Sequence, residues 1–93
     1  MYEIQVSFDP AKRAKTLEQR GLDFADAALV FGGRIMTKQD TRRDYGEDRF
    51  QTLGLLGDRV VMVVWTLRAD AHHVISMRYC HDSEANSFHD AVG

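Results

Sequence analysis

RVVMVVWTLRADAHHVISMRY, residues 59–79, is the stretch that decides the fold. Its first half, Val60 to Leu67, is β-branched and almost wholly apolar, which is typical of a strand buried on both faces at the centre of a sheet. The short polar stretch from Arg68 to Ala71 then separates it from a second strand over His72 to Met77. We therefore predict a hairpin whose first strand is the centre of the sheet.

Strand alternation assigns the side chains of the second strand to two faces. The predicted faces are Val74, Ser76 and Arg78 on one side, and His73, Ile75 and Met77 on the other. An arginine at the edge of a rigid sheet is either a salt-bridged link within the protein or a phosphate-binding group. Which of these two roles Arg78 has decides the function.

Length and composition predict one small domain spanning residues 1–93. Hydrophobic residues make up 44% of the chain and charged residues 28%, which is ordinary for a globular protein and unlike a disordered one. The formal net charge of −2 weighs against a nonspecific nucleic-acid coat protein, because such binding depends on neutralising phosphates. The single cysteine, Cys80, fits a reducing compartment. With neither a membrane span nor a signal peptide in the sequence, we expect a cytoplasmic protein.

The remaining segments predict an α+β domain. Further strands are expected over Tyr2 to Phe8, Arg34 to Asp40 and Phe50 to Leu56, and helices over Pro10 to Arg20, from Asp23 to Phe31, and after Asp82. In the second helix Phe24, Ala27, Ala28 and Phe31 form one apolar stripe. This order predicts two N-terminal helices packed on a mainly antiparallel, four- to five-stranded meander, with a short C-terminal helix.

No motif in the chain predicts a metal ion or a cofactor. His72 and His73 are neighbours in a strand, where successive side chains point to opposite faces, so the two do not converge on one metal. His81 and His89 lie eight residues apart across the start of a helix. We expect neither a metal site nor a cofactor.

Arginines are the most informative polar residues, and seven of them lie in the sheet half of the chain: Arg34, Arg42, Arg43, Arg49, Arg59, Arg68 and Arg78. Most are expected to pair with the acids between them, Asp40, Asp44, Glu47, Asp48, Asp58 and Asp70. Arg49 and Arg78 differ because each borders a predicted strand, where a planar guanidinium held in one orientation can grip a phosphate bidentately.

Two further residues have alternative interpretations. Trp65 is either a core residue or a stacking surface for a base near the arginines. His81 is either an ordinary loop histidine or a general acid or base, since its reference pKa lies near neutrality.

The chain resembles the BrnT toxins, ribonuclease halves of bacterial type II toxin–antitoxin modules. The resemblance spans nearly the whole chain as an ordered set of short pieces. They are Phe8-Asp9 with Lys12, Gly21 with Phe24, Ala27, Val30 and Phe31, the loop from Asp44 to Arg49, Gly54, Trp65-Thr66, Arg68, and Ile75 to Arg78 followed by Glu84.

This resemblance implies a RelE-like microbial ribonuclease fold and an endoribonuclease that cleaves RNA without metal and inhibits translation. The ribose 2′-OH would attack the neighbouring phosphate, while the protein aligns the 2′-oxygen and stabilises the developing charge. Arg49 and Arg78 are the implied phosphate clamps, and Trp65 and Thr66 would line the site. His81 and Glu84 are candidates for proton transfer.

The resemblance also implies a partner, a BrnA-like antitoxin that neutralises the toxin in a hetero-oligomer and binds operator DNA. The first helix exposes Lys12, Arg13, Lys15 and Arg20, which predicts either a docking face for an acidic antitoxin segment or a solvated face. An alternative function is a non-catalytic binding module of the same fold that acts as an antitoxin-bound co-repressor. It is favoured by Tyr79-Cys80-His81, where the family usually has alanine-basic-alanine. A third is a structural domain whose arginines are all salt-bridged.

Overall fold

The computed structural model describes residues 4–42 and 44–92. This part of the chain forms an α+β fold with a five-stranded mixed sheet and three α-helices. The elements are β1 Val6–Phe8, α1 Pro10–Arg20, a 3-10 turn Phe24–Asp26, α2 Ala27–Phe31, β2 Ile35–Gln39, β3 Phe50–Leu56, β4 Arg59–Arg68, β5 Ala71–Tyr79 and α3 Asp82–Val92. None of these helices is long and apolar enough to span a membrane.

The strand order in the sheet is β1-β5-β4-β3-β2, so the apolar strand β4 is central, as predicted. Strands β2 to β5 form the expected antiparallel meander. The prediction of antiparallel pairing is wrong for β1, which lies parallel to β5 with Val6 opposite His72. Two helices separate β1 from the meander, so β1 can pair in the parallel sense that a tight hairpin forbids. The predicted start of β1, Tyr2, lies outside the described residues.

The N-terminal helices follow their capping residues. Asp9 accepts a hydrogen bond from the backbone N of Ala11 at 2.9 Å, and α1 ends at Gly21, whose φ is 69°. Asp23 caps the 3-10 turn, and α2 itself has only five residues. The predicted continuous helix is therefore wrong between Asp23 and Asp26. The tighter turn leaves Ala28 only partly buried, although the other three residues of the predicted stripe are buried.

Each face of the sheet carries its own apolar cluster. The α1–α2 face buries Phe24, Val30 and Phe31 against Val61, Val63, Val74 and Met77. Gly54 of β3 allows α2 to sit close, because a Cβ there would lie 2.6 Å from Val30 Cγ1. The opposite side, here called the α3 face, carries Leu53, Val60, Met62 and Val64 around Phe88 of α3. Phe88 is the one buried residue of α3, so this helix covers only part of its face.

A β-bulge in β5 overturns the predicted division of its side chains. Val64 pairs with Ser76 and Trp65 with Val74, which leaves Ile75 without a partner on β4. The extra residue breaks the period of two. As a result Val74 joins Met77 on the α1–α2 face, whereas Ile75 packs in the α3-face cluster. Arg78, predicted to share a face with Val74, projects instead toward Met62 on the α3 face.

Candidate functional site

Arg78 lies at the end of β5 and is held by a carboxylate from α3. Its Nη1 donates to Glu84 Oε1 at 2.8 Å and its Nη2 to Glu84 Oε2 at 2.7 Å, a bidentate ion pair. Glu84 is the third residue of α3, and its Oε1 also accepts from the backbone N of His81 at 2.9 Å, as in a capping box. The hydrogen bonds from Arg78 lower the pKa of Glu84 to about 2. The guanidinium therefore has a fixed orientation beside an ionised carboxylate.

A second bidentate pair lies at the end of β2. The side chain of Asp40 is only 1% exposed and accepts from Arg42 Nε at 2.9 Å and Arg42 Nη2 at 2.8 Å. The hydroxyl of Tyr45 also donates to this carboxylate, at 3.2 Å. Hydrogen bonding to Arg42 is the main cause that lowers the pKa of Asp40. This pairing confirms the expectation that Arg42 neutralises one of the acids near it.

Both ion pairs line one pocket of about 370 Å³. We call it the arginine pocket, and its lining is Lys38, Gln39, Asp40, Thr41, Arg42, Gln51, Met62, Arg78 and Glu84. Three cationic side chains thus face two carboxylates across it. An adjoining cavity of about 280 Å³ shares Lys38, Gln51, Met62 and Glu84 with it and extends toward α3.

Sequence reasoning did not select Lys38, Asp40 or Arg42 as site residues. They reach Arg78 through the pairing of β2 with β3, in which Lys38 lies opposite Gln51, and of β4 with β5, in which Met62 lies opposite Arg78. Only the strand register carries this information, and no local pattern in the sequence encodes it.

Arg49 does not enter the arginine pocket. It precedes β3, and its guanidinium lies 4.0 Å from the ring centroid of Tyr45, while its Nε is 3.4 Å from Glu47 Oε2. Arg49 is level with Thr66 of β4, and Arg78 is level with Met62. These positions are four residues apart along β4, about 13 Å at the rise of a strand. The two predicted clamps therefore have separate backbone positions on the sheet, and each guanidinium has its own carboxylate partner.

Thr66 and Trp65 point to opposite faces of the sheet, as successive residues of a strand do. Thr66 is buried on the α3 face, and its Oγ1 donates to the backbone O of Asp48 at 2.6 Å, which holds the loop beside Arg49. Trp65 lies on the α1–α2 face among Phe31, Phe50 and His72. The structure thus gives Trp65 the core packing that was one of its two alternatives, on the side of the sheet away from both arginines.

The two candidates for proton transfer lie beside Arg78. His81 is exposed, and its backbone N, the group that contacts the site, donates to Glu84. Glu84 is bound by Arg78 and has a pKa of about 2, so its carboxylate accepts a proton poorly near neutral pH. Within residues 4–42 and 44–92, no three His, Cys, Asp or Glu side chains form a group that could hold a metal ion.

The sequence of this chain matches a known protein family. Residues 8–84 match the family model described as "Ribonuclease toxin, BrnT, of type II toxin-antitoxin system". The chain belongs to this family. The match runs from the end of β1 to the first turn of α3 and contains all six predicted site residues, Arg49, Trp65, Thr66, Arg78, His81 and Glu84. Membership supports ribonuclease activity and implies an antitoxin as partner. A search among curated proteins gave no match.

Proposed function

We propose that this chain is a RelE-like endoribonuclease toxin that cleaves RNA without metal, by attack of the ribose 2′-OH, and so inhibits translation in the cytoplasm. The observation that carries the proposal is the convergence of Lys38, Arg42 and Arg78 on the arginine pocket. Cationic side chains that converge on one pocket can bind a phosphate of an RNA strand and so hold the strand in place for cleavage.

Arg78 keeps donors for a phosphate even while Glu84 is bound. A guanidinium has five N–H groups, of which Glu84 takes two. Two others make only long contacts, from Nη1 to the backbone O of Tyr79 at 3.3 Å and from Nη2 to Met62 Sδ at 3.6 Å. A phosphate oxygen can replace these weak contacts without displacing the carboxylate.

Arg49 serves, in this proposal, as a second clamp on a different phosphate of the same RNA strand. The backbone positions of Arg49 and Arg78 are about 13 Å apart along β4, and their guanidiniums pair with different carboxylates. The substrate is therefore an extended single strand that crosses the α3 face between the two arginines.

A cleavage assay tests this proposal directly. The purified chain is incubated with end-labelled single-stranded RNA in the presence of EDTA, beside Arg78→Ala and the matched variant Arg59→Ala. Arg59 belongs to the same hairpin, but its guanidinium lies 3.7 Å from the ring centroid of Tyr79, outside the arginine pocket. We expect Arg78→Ala to reduce the cleavage rate by about 100-fold or more, and Arg59→Ala to retain it.

Thermal unfolding of both variants shows whether a loss of cleavage comes from a damaged site or from an unfolded protein. Equal cleavage by Arg78→Ala and the wild-type chain would contradict the proposal, as would cleavage that EDTA abolishes. A wild-type chain that neither cuts RNA nor arrests growth would support the second candidate function.

That second candidate is a non-catalytic co-repressor that binds operator DNA only through the antitoxin. The observation that favours it is the bidentate pairing of both Arg42 and Arg78 with carboxylates, at 2.7–2.9 Å. Under this second function, each guanidinium is neutralised by its carboxylate and serves as a structural link within the protein. An operator-binding complex with the antitoxin, formed by a chain that leaves RNA intact, would establish this role.

The antitoxin is proposed to be a BrnA-like DNA-binding protein that forms a hetero-oligomer with the toxin. Its acidic segment would dock on α1, which has no buried residue. Two of the four cations of the predicted basic face have partners within the protein. Arg13 is paired with Asp23 at 2.8 Å, and Arg20 donates to the backbone O of Met77, so Lys12 and Lys15 are the exposed cations that offer charge to a partner.

A further inference from the structure

A second set of polar side chains crosses the α3 face at the end of the sheet away from α3. Ser7 of β1 lies opposite His73 of β5, and His73 lies opposite Thr66 of β4. Arg49 continues this line, because the next residue, Phe50, pairs with Trp65. We call Ser7, His73, Thr66 and Arg49 the polar row. The cluster around Phe88 of α3 lies nearer the other end of the sheet, and His73 and Arg49 keep partial exposure.

The imidazole of His73 is held from one side. Its Nδ1 is 2.9 Å from Ser7 Oγ. No hydrogen bond within the described residues involves its Nε2. This atom is also absent from the fully buried polar atoms without a partner, so it keeps some contact with solvent. When the neutral ring donates its Nδ1–H to the serine oxygen, Nε2 presents a lone pair. In this tautomer, the hydrogen bond to Ser7 orients His73 to accept a proton at Nε2.

Burial is the main reason that the His73 ring stays neutral. Burial is the main cause that lowers its pKa, and the positive charges of Arg68 on β4 and Lys12 on α1 lower it further. Glu47 of the loop before β3 and Asp9 at the start of α1 act in the opposite direction. Since the pKa falls below the ordinary value of 6.5, the unprotonated form prevails at pH 7.

Two guanidiniums, that of Arg49 in the polar row and that of Arg68 next to it, are loosely held. Arg49 and Arg68 share one carboxylate, that of Glu47, at 3.4 Å and 3.3 Å respectively. The pair of Arg78 with Glu84, at 2.7–2.8 Å, is much tighter. A phosphate can therefore take a donor from Arg49 or Arg68 at a smaller cost than from Arg78. Before a phosphate binds, the stacking of Arg49 on Tyr45 fixes the plane of the guanidinium.

We infer that His73 is the general base of the ribonuclease reaction and that the scissile phosphate binds at the polar row. His73 Nε2 takes the proton of the ribose 2′-OH, and the 2′-oxygen forms a bond to the adjacent phosphorus. The bond from phosphorus to the 5′-oxygen breaks, its electron pair leaves on that oxygen, and the oxygen takes a proton from solvent water. Arg49 and Arg68 bind the non-bridging oxygens, and Ser7 is a positioning residue for the imidazole.

This inference rests on the proposed ribonuclease function and assigns a proton acceptor that sequence reasoning missed. His81 and Glu84 were the predicted candidates, but one is an exposed loop residue and the other is bound by Arg78. The signal for His73 lies in the parallel pairing of β1 with β5, which brings Ser7 against it.

The test is the pH dependence of cleavage by the wild-type chain, His73→Gln and the matched exposed-histidine variant His89→Gln. Single-turnover rates are measured with EDTA between pH 4.5 and 8, on end-labelled single-stranded RNA. For the wild-type chain we expect a tenfold rise in rate per pH unit up to a pKa below 6.5, and then a plateau. His73→Gln should lower the plateau by about 10²–10⁴-fold and remove the rise, while His89→Gln follows the wild-type curve.

Ser7→Ala supplies the readout for positioning. Loss of the oxygen that accepts the Nδ1–H destabilises the imidazolium, so the rise should persist but end at a lower pKa, and Ser7→Thr should restore it. A wild-type rate that does not change with pH would overturn the inference without any variant. An unchanged rate and profile in a folded His73→Gln, with Arg78→Ala inactive, would overturn the inference alone. Absence of cleavage by the wild-type chain would overturn the proposed function and the inference with it.

Discussion

At the scale of single residues, the lengths of the ion pairs separate two kinds of arginine on the α3 face. Arg78 and Arg42 are bound bidentately by their own carboxylates. Arg49 and Arg68 divide one carboxylate between them at longer distances. Exposed ion pairs contribute about 0–1 kcal/mol to stability, so their main effect is to orient a side chain. The tight pairs build a rigid pocket wall, and the loose pairs leave guanidiniums that can change partner.

The pair of Arg78 with Glu84 makes stability depend on pH in a defined window. Folding lowers the pKa of Glu84 from 4.5 to about 2, so the pair stabilises the fold fully above pH 4.5 and is lost as the pH falls toward 2. Both side chains are partly exposed, at 36% and 26%, so we expect Glu84→Gln to cost about 1 kcal/mol at pH 7. Urea unfolding at several pH values should show this difference shrinking below pH 4.5.

The matched control for this prediction is Asp90→Asn, an exposed acid of the same helix. It removes one negative charge from α3 and should change the unfolding free energy by less than about 0.5 kcal/mol. A Glu84→Gln deficit that stays constant down to pH 2.5 would show that shape, and not charge, accounts for the loss.

The sequence did not predict which of the candidate site residues are in contact with one another. Arg78 and Glu84 were both selected, and the structure brings them into contact. Asp40 and Arg42 were expected only to be among the paired charges, although the pairing of β2 with β3 brings them to the wall of the same pocket. Ion pairs and pockets across strands depend on register, which one sequence does not specify.

At the scale of secondary-structure elements, local patterns predicted strands well and distant pairing poorly. The bounds of β3 were predicted residue for residue, and β4 was placed at the centre, because the apolar run and the Gly57-Asp58 turn are local signals. The tight turn at Ala69-Asp70, where both residues have positive φ, closes the predicted hairpin. The bulge at Ile75 and the parallel pairing of β1 were missed, because each depends on contacts between strands.

Helix α1 is the element that we expect to meet the antitoxin, since it buries no side chain and exposes Lys12 and Lys15. The double variant Lys12→Glu/Lys15→Glu should weaken the complex with the co-expressed antitoxin by at least about tenfold, because like charges now oppose an acidic segment. Isothermal titration at two salt concentrations measures this, with Arg59→Glu as the control on another surface. Equal affinity of the double variant and the wild-type chain would move the docking site away from α1.

At the scale of the whole molecule, the net charge is weakly negative, while positive side chains are concentrated at a few places. The chain carries a formal net charge of −2 and a pI near 6.0, so no long-range field attracts RNA. Cations nevertheless gather on the α3 face, at the arginine pocket and along the polar row, each with carboxylates beside them. Binding must then come from a small number of phosphate contacts.

Few phosphate contacts imply a shallow dependence of RNA binding on salt. Each neutralised phosphate of a single strand contributes about −0.7 to the slope of log K against log salt. The scissile phosphate at Arg49 and Arg68 and a second phosphate at Arg78 together predict a slope of about −1.4, or roughly a sevenfold loss of affinity between 50 and 200 mM salt. Fluorescence anisotropy with a 2′-O-methyl oligonucleotide, which lacks the attacking hydroxyl, measures binding without cleavage.

Single substitutions then assign the contacts. Arg49→Ala should reduce the magnitude of the slope by up to about 0.7, and Arg59→Ala should leave it unchanged, because Arg49 belongs to the polar row and Arg59 does not. A slope steeper than about −4 would indicate a diffuse basic surface that the net charge of −2 does not provide. A slope that Arg49→Ala and Arg78→Ala both leave unchanged would show that the strand does not cross the α3 face, which would remove the basis for placing the scissile phosphate beside His73.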